Sequence, residues 1–141
     1  MNIGILGAGN IAGSMARTIC GMAAQGRPVT LYAVASRSQE KADAFAKAYG
    51  IPRAYGSYAA MLNDPLVELV YIATPHSHHA EQICQCVAAG KPVLCEKSFT
   101  ANAKQAEEVL QEAEAAGVYV AEAIWTRYMP CLLYTSPSPR D

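Results

Sequence analysis

Apolar runs and apolar periodicities alternate along the chain. Asn2 to Leu6 is a short apolar run that stops at glycines, which predicts a buried strand. Ile11, Met15 and Ile19 then recur every four residues, the spacing of one helix face. Val29 to Ala35 is a second strand-like run. Ser38 is placed to cap a helix running through Ala48, with Gly50 just past its end. Ile51-Pro52 breaks the chain, and Ser57 to Leu62 reads as a short helix ended by Asn63-Asp64-Pro65. Leu69 to Ala73 is a third, strong strand, followed by a helix from Ser77 to Ala89 that Gly90 closes. Pro92 to Cys95 is a short strand. Asn102 and Gln105 have the spacing of a capping box. They open a helix with Ala106, Val109, Leu110 and Ala113 on one face, ended by Gly117. Val118 to Ala121 is the last strand, and no internal repeat is apparent.

Strands that alternate with helices imply right-handed crossovers and a parallel sheet. The expected fold class is therefore α/β, a doubly wound parallel sheet over residues 1–125, with residues 126–130 starting a connection onward. Composition sharpens this. Of 141 residues, 52% are hydrophobic and 16% charged, against about 25% charged in a typical soluble domain. Both faces of the sheet should be buried. The net charge of -1, without a basic stripe, argues against a nucleic-acid partner. No apolar run approaches the roughly 20 residues of a membrane span, and the first residues lack a basic leader. A cytoplasmic location with reduced thiols is expected. Cys84-Gln85-Cys86 lacks the CxxC spacing, and Cys20, Cys84 and Cys95 sit among apolar residues as small hydrophobes.

The first candidate chemistry lies between the first strand and the first helix. Gly7-Ala8-Gly9-Asn10-Ile11-Ala12 fits G-x-G-x-x-G/A in the required context. Gly7 permits a tight turn, Gly9 lets the backbone approach a pyrophosphate, and Ala12 lets helix and strand pack closely. Free N–H groups and the helix dipole then hold the anion. This is a dinucleotide-binding turn. At the end of the second strand, where an acidic residue would bind the ribose 2'-OH of NAD, stands Ser36-Arg37-Ser38. No carboxylate is there to repel a 2'-phosphate. Arg37 can pair with one and stack on adenine, and Lys41 adds charge one turn on. NADP is expected over NAD.

Two further loops carry polar groups at strand ends, where ligands bind in open α/β sheets. Thr74-Pro75-His76-Ser77-His78-His79 follows the third strong strand. Its histidines lack the third protein ligand of a catalytic zinc site, so no metal is expected. Polar residues beside a bound nicotinamide are expected instead. The second loop follows Val93-Leu94-Cys95 with Glu96-Lys97. Lys97 suits proton transfer to or from a substrate hydroxyl, given burial and cationic neighbours. Glu96 can orient Lys97 or bind a ribose. A structural salt bridge between the two is the plainer alternative.

GAGNIAG, ATPHSHH, AGKPVLCEK and EAIWTRYMP together resemble the N-terminal half of the Gfo/Idh/MocA oxidoreductases over residues 1 to about 130. Ile51 to Tyr58 and Glu122 to Tyr128 resemble the subgroup of dimeric trans-dihydrodiol dehydrogenases, which also oxidise D-xylose with NADP. The resemblance implies a Rossmann-type domain with Lys97 as the catalytic lysine. It implies that Gly7, Ala8, Gly9, Asn10 and Ile11 line the pyrophosphate, and that Ser36 and Arg37 face the adenosine ribose. Thr74, Pro75, His76, His79, Glu96 and Lys97 are placed on the nicotinamide side, with Trp125 and Arg127 at the pocket floor. Two positions depart from the family pattern: Ser98 replaces a proline, and His76 stands where many members have Asn.

Family members continue into a second α/β domain that covers the nicotinamide, supplies further catalytic residues and makes a homodimer. The tail Cys131 to Asp141, CLLYTSPSPRD, reads instead as a translated transposase-type sequencing-library adaptor. The native chain is thus expected to continue past Pro130 into the missing substrate domain. The expected function is the cofactor half of an NADP-dependent dehydrogenase acting on a sugar, cyclitol or trans-dihydrodiol, the fragment itself being inactive. The alternative is a dinucleotide-sensing module without catalysis.

Overall fold

The computed structural model describes residues 1–124. Trp125, Arg127 and the tail from Cys131 to Asp141 lie outside the described residues. The elements run β1 (Asn2–Leu6), α1 (Asn10–Ala24), β2 (Thr30–Ala35), α2 (Gln39–Tyr49), β3 (Arg53–Tyr55) and α3 (Tyr58–Leu62). They continue with β4 (Leu69–Ile72), a 3-10 turn at His76–His78, α4 (His79–Ala88), β5 (Val93–Glu96), α5 (Ala103–Ala116) and β6 (Val120–Ala123). The strands form one parallel sheet in the order β3-β2-β1-β4-β5-β6. Strand order reverses between β1 and β4. There the two halves diverge and leave a crevice beyond their carboxyl ends.

Strand period two divides the core into two layers. Val70 and Ile72 of β4 pack with Val93, Cys95, Ile83, Cys86 and Val109 on one face. Tyr71 points to the other and joins Ile3, Ile5, Ala12, Ala16, Ile19, Val34 and Phe45. The sheet is buried on both faces, as the low charge content implies.

The predicted caps form. Ser38 Oγ accepts from the Lys41 N–H at 3.4 Å, and Asn102 Oδ1 from the Gln105 N–H at 3.0 Å. Gln105 Oε1 reaches back to the Ala101 N–H at 3.2 Å, one residue before the position a capping box uses.

Several expectations need correction. Arg53–Tyr55, just past the Ile51-Pro52 break, is an edge strand on β2 that the sequence pattern did not assign. The last strand begins two residues later than expected, at Val120. Ile11 does not face the core: it is 51% exposed, and α1 buries Ala12, Gly13, Ala16 and Ile19 instead. Small residues let this helix lie close to the strands, with Ile19 buried and Met15 packed at the edge of the core as expected. Leu110 is likewise exposed, leaving Val109 and Ala113 to anchor α5. Cys20 is exposed, whereas Cys86 and Cys95 are buried. Among the described residues no helix is long and apolar enough to cross a membrane.

Candidate functional site

The crevice starts from the tight turn after β1. Gly7 has φ of 108°, and its N–H donates to the Ala35 carbonyl at 2.8 Å. A Cβ at Gly7 would lie 3.0 Å from the Ala73 carbonyl oxygen, so the turn presses against the end of β4. Gly9 is the N-cap of α1. Among the described residues no side chain caps it, and the first turn holds no acidic residue. The first N–H groups of α1 thus remain for an anion.

A cleft of about 560 Å³ joins this turn to the ends of β2 and β4. Gly7, Ala8 and Gly9 line one wall, Ser36, Arg37, Ser38 and Lys41 a second, and Ala73, Thr74 and Pro75 a third. Among the described residues its charged lining residues, Arg37 and Lys41, are both basic, and no carboxylate lines it. Tyr58, at the start of α3, completes the lining. The sequence reading missed Tyr58, since an aromatic at the head of a short helix reads equally well as core. Asn10 lines an adjoining hollow with Ser14, Arg17 and Tyr49. The glycine turn, its uncapped helix and the basic wall fit a dinucleotide phosphate backbone.

Glu96 and Lys97 leave the end of β5 into a neighbouring hollow shared with Ile11, Ser14, Met15, Thr18 and Tyr71. Glu96 is held from two sides. The buried Tyr71 hydroxyl donates to its Oε1, and the Lys97 backbone N–H donates to its Oε2 at 3.2 Å. Burial, and then the Glu96 carboxylate, push the Tyr71 phenol well above its ordinary range. Tyr71 therefore stays a proton donor. Among the described residues the one ion pair is Lys104 with Glu108 at 3.9 Å, on the surface of α5. Glu96 and Lys97 do not pair, and Lys97 is exposed at the rim. The burial expected for the Lys97 side chain is absent from the described residues.

The histidine loop divides. His76 is exposed at the head of the 3-10 turn, outside the cleft lining. His79 is fully buried, which corrects the expectation that it faces a cofactor. Its Nδ1 lies 2.8 Å from the Ser98 carbonyl oxygen and its Nε2 lies 2.8 Å from that of Thr74. Both nitrogens are engaged by main chain, so neither reaches a ligand. Gln82, one turn on and also buried, accepts from the Thr74 hydroxyl. Among the described residues no group of three or more metal-ligating side chains gathers. Burial pushes the Cys86 and Cys95 thiols up to about 12, so neither is a thiolate at neutral pH.

The model of the oxidoreductase family with an NAD-binding Rossmann fold matches residues 1–123. Mouse trans-1,2-dihydrobenzene-1,2-diol dehydrogenase is 41% identical over 129 residues, covering 92% of this chain and 38% of that protein. D-xylose 1-dehydrogenase (NADP(+)) of Hypocrea jecorina is 38% identical over 135 residues, covering 90% of this chain and 34% of that protein. The chain thus spans well under half of the curated relatives it matches. The crystal structure of KijD10, a 3-ketoreductase from Actinomadura kijaniata in complex with TDP-benzene and NADP, superposes with a TM-score of 0.85. It is 28% identical, with 95% of this chain and 41% of that one covered. A doubly wound sheet, an uncapped glycine turn and a match over nearly all the described residues agree: the chain belongs to the Gfo/Idh/MocA oxidoreductase family, through its NAD-binding Rossmann domain.

Proposed function

We propose that this chain is the cofactor-binding half of a dehydrogenase that moves hydride between NADP(H) and a hydroxyl or carbonyl carbon of a sugar, cyclitol or trans-dihydrodiol. The observation that carries this reading is the delivery of Glu96 and Lys97, which form no ion pair with each other, by β5 to the crevice rim, beside the helix that follows the glycine turn. A module that only senses a dinucleotide has no need of that pair. In this reading the α1 N–H groups hold the pyrophosphate, and Arg37 and Lys41 receive a 2'-phosphate on the adenosine side. Thr74, Pro75 and His76 flank the nicotinamide side.

Once bound, the nicotinamide supplies the hydride acceptor or donor. Lys97 Nζ takes the hydroxyl proton when the alcohol is oxidised and returns it when the carbonyl is reduced. Glu96, fixed by Tyr71 and by the Lys97 N–H, orients this strand end. Relatives named for dihydrodiol and D-xylose oxidation support the substrate class. The NADP(+) in one relative's name and the NADP bound to KijD10 support the cofactor. The 141 residues, which span well under half of these relatives, are expected by themselves to bind cofactor weakly and turn over nothing, since excluding water and holding substrate take more wall than one crevice rim provides. The whole protein is expected to be a homodimer or larger.

Turnover of the full-length protein tests the reading, assayed with NADP against D-xylose and trans-dihydrodiols. Lys97→Ala should lower the rate at least about 100-fold and leave NADPH binding in place. Near-normal turnover by Lys97→Ala would remove the lysine from the chemistry. No turnover by the wild-type protein would favour the sensing module.

A further inference from the structure

We propose that His79 is a doubly protonated clasp that fixes the loop carrying Thr74 to the loop carrying Lys97, and so positions the Lys97 amine. His79 opens α4 and is fully buried. Its ring lies between two main-chain carbonyl oxygens, each 2.8 Å from one nitrogen. A carbonyl oxygen only accepts, and a neutral imidazole donates from one nitrogen alone. In the neutral ring the second nitrogen would set a lone pair against an oxygen, in an interior where unmatched polar groups are costly. A ring that satisfies both carbonyls carries both protons. Among the described residues no buried side-chain polar atom lacks a partner, so the clasp belongs to a fully bonded interior.

The two carbonyls sit where they matter. Thr74 lines the cleft just beyond β4, and Ser98 directly follows Lys97. These loops leave neighbouring strands, and beyond the strand ends the sheet ladder no longer sets their separation. His79 joins them there. Gln82 holds the Thr74 hydroxyl from the same helix, so α4 grips the Thr74 loop twice. The clasp is a positioning device for the lysine, and it rests on the reading that Lys97 moves the substrate proton.

Two measurements test it. Long-range proton–nitrogen spectra of the nitrogen-15 histidine-labelled chain near neutral pH should show both His79 nitrogens as protonated, against exposed His76 and His78 as internal references. One protonated and one bare nitrogen would overturn the clasp. In the full-length protein, His79→Gln can donate toward one loop only. Its kcat should fall about tenfold or more, with NADPH affinity unchanged. A folded His79→Gln with wild-type kcat would overturn the positioning role. If that variant does not fold, the ring spectrum of the wild type still decides. If the wild-type protein has no turnover, the proposed function fails while the spectrum still judges the clasp.

Discussion

Alanine at Gly9 and alanine at Gly7 should separate cofactor binding from stability. Gly9 has φ of -96° and ψ of -168°, extended backbone that any residue adopts, and a Cβ there would meet no atom within 4 Å. Gly9→Ala should therefore change stability by less than about 0.5 kcal/mol. If the pyrophosphate lies against this backbone, the added methyl stands between it and the first N–H groups of α1. Losing one charge-assisted hydrogen bond costs about 1.5–3 kcal/mol, which is roughly 10- to 150-fold in affinity. Gly7→Ala is the opposite case. Its φ of 108° is hostile to a side chain, and the new Cβ would lie 3.0 Å from the Ala73 carbonyl oxygen. Backbone strain of about 1–3 kcal/mol combines with an overpacking cost of about 1–3 kcal/mol. That is a large share of the roughly 5–15 kcal/mol that holds a domain together. Urea melts and NADPH titrations on both variants make the assay. The expected pattern is Gly9→Ala as stable as wild type with binding weakened roughly 10- to 150-fold, and Gly7→Ala destabilised. A Gly9→Ala protein that binds NADPH like wild type would refute the cradle assignment.

Arg37→Ala should weaken NADPH about tenfold, the size of one charge-assisted bond at an exposed site, and weaken NADH less, by the lost adenine stacking alone; equal loss for both cofactors would remove Arg37 from the 2'-phosphate. Asp64 accepts from the Tyr55 hydroxyl, the Leu66 N–H at 2.9 Å and the Tyr32 hydroxyl at 3.0 Å. Burial raises its pKa, but these bonds and Arg53 outweigh that and hold it below the ordinary value. A depressed carboxylate stabilises the fold at neutral pH, and that contribution is lost as pH falls below about 4. Asp64→Asn should lower the urea midpoint at pH 7, and its gap to wild type should close in acid; a gap that stays constant in acid would contradict this. The Tyr55 hydroxyl, pushed up to about 12 by its bond to Asp64 and then by burial, contributes fully below about pH 10. That contribution should fade as pH climbs through 12, seen as a loss of wild-type stability that Tyr55→Phe lacks.

The sequence carried the parts of the fold that obey short periods. The runs at Asn2–Leu6 and Leu69–Ile72 became central strands, because residues buried on both sides must all be apolar. The glycine turn was legible for a different reason: a strand, two glycines and a helix in that order have few other uses. Arg53–Tyr55 was missed because a three-residue edge strand is too short to show alternation. On α1, Ile19 and Met15 were placed correctly and Ile11 was misread, because close packing selects small Ala12, Gly13 and Ala16 and hydrophobicity gives them little weight. His79 was placed at the ligand because nothing in a string of histidines distinguishes an exposed ring from one held by two carbonyls. The Tyr71 contact to Glu96 joins neighbouring strands, a pairing no local pattern reveals.

The most direct test of the central claim is a titration of the purified chain with NADPH and, separately, NADH, followed by calorimetry at low salt. The account predicts saturable binding of NADPH at least about tenfold tighter than NADH, the effect of one added charge-assisted bond to the 2'-phosphate. NADH binding as tightly or more tightly, or no saturable binding of either, would contradict it.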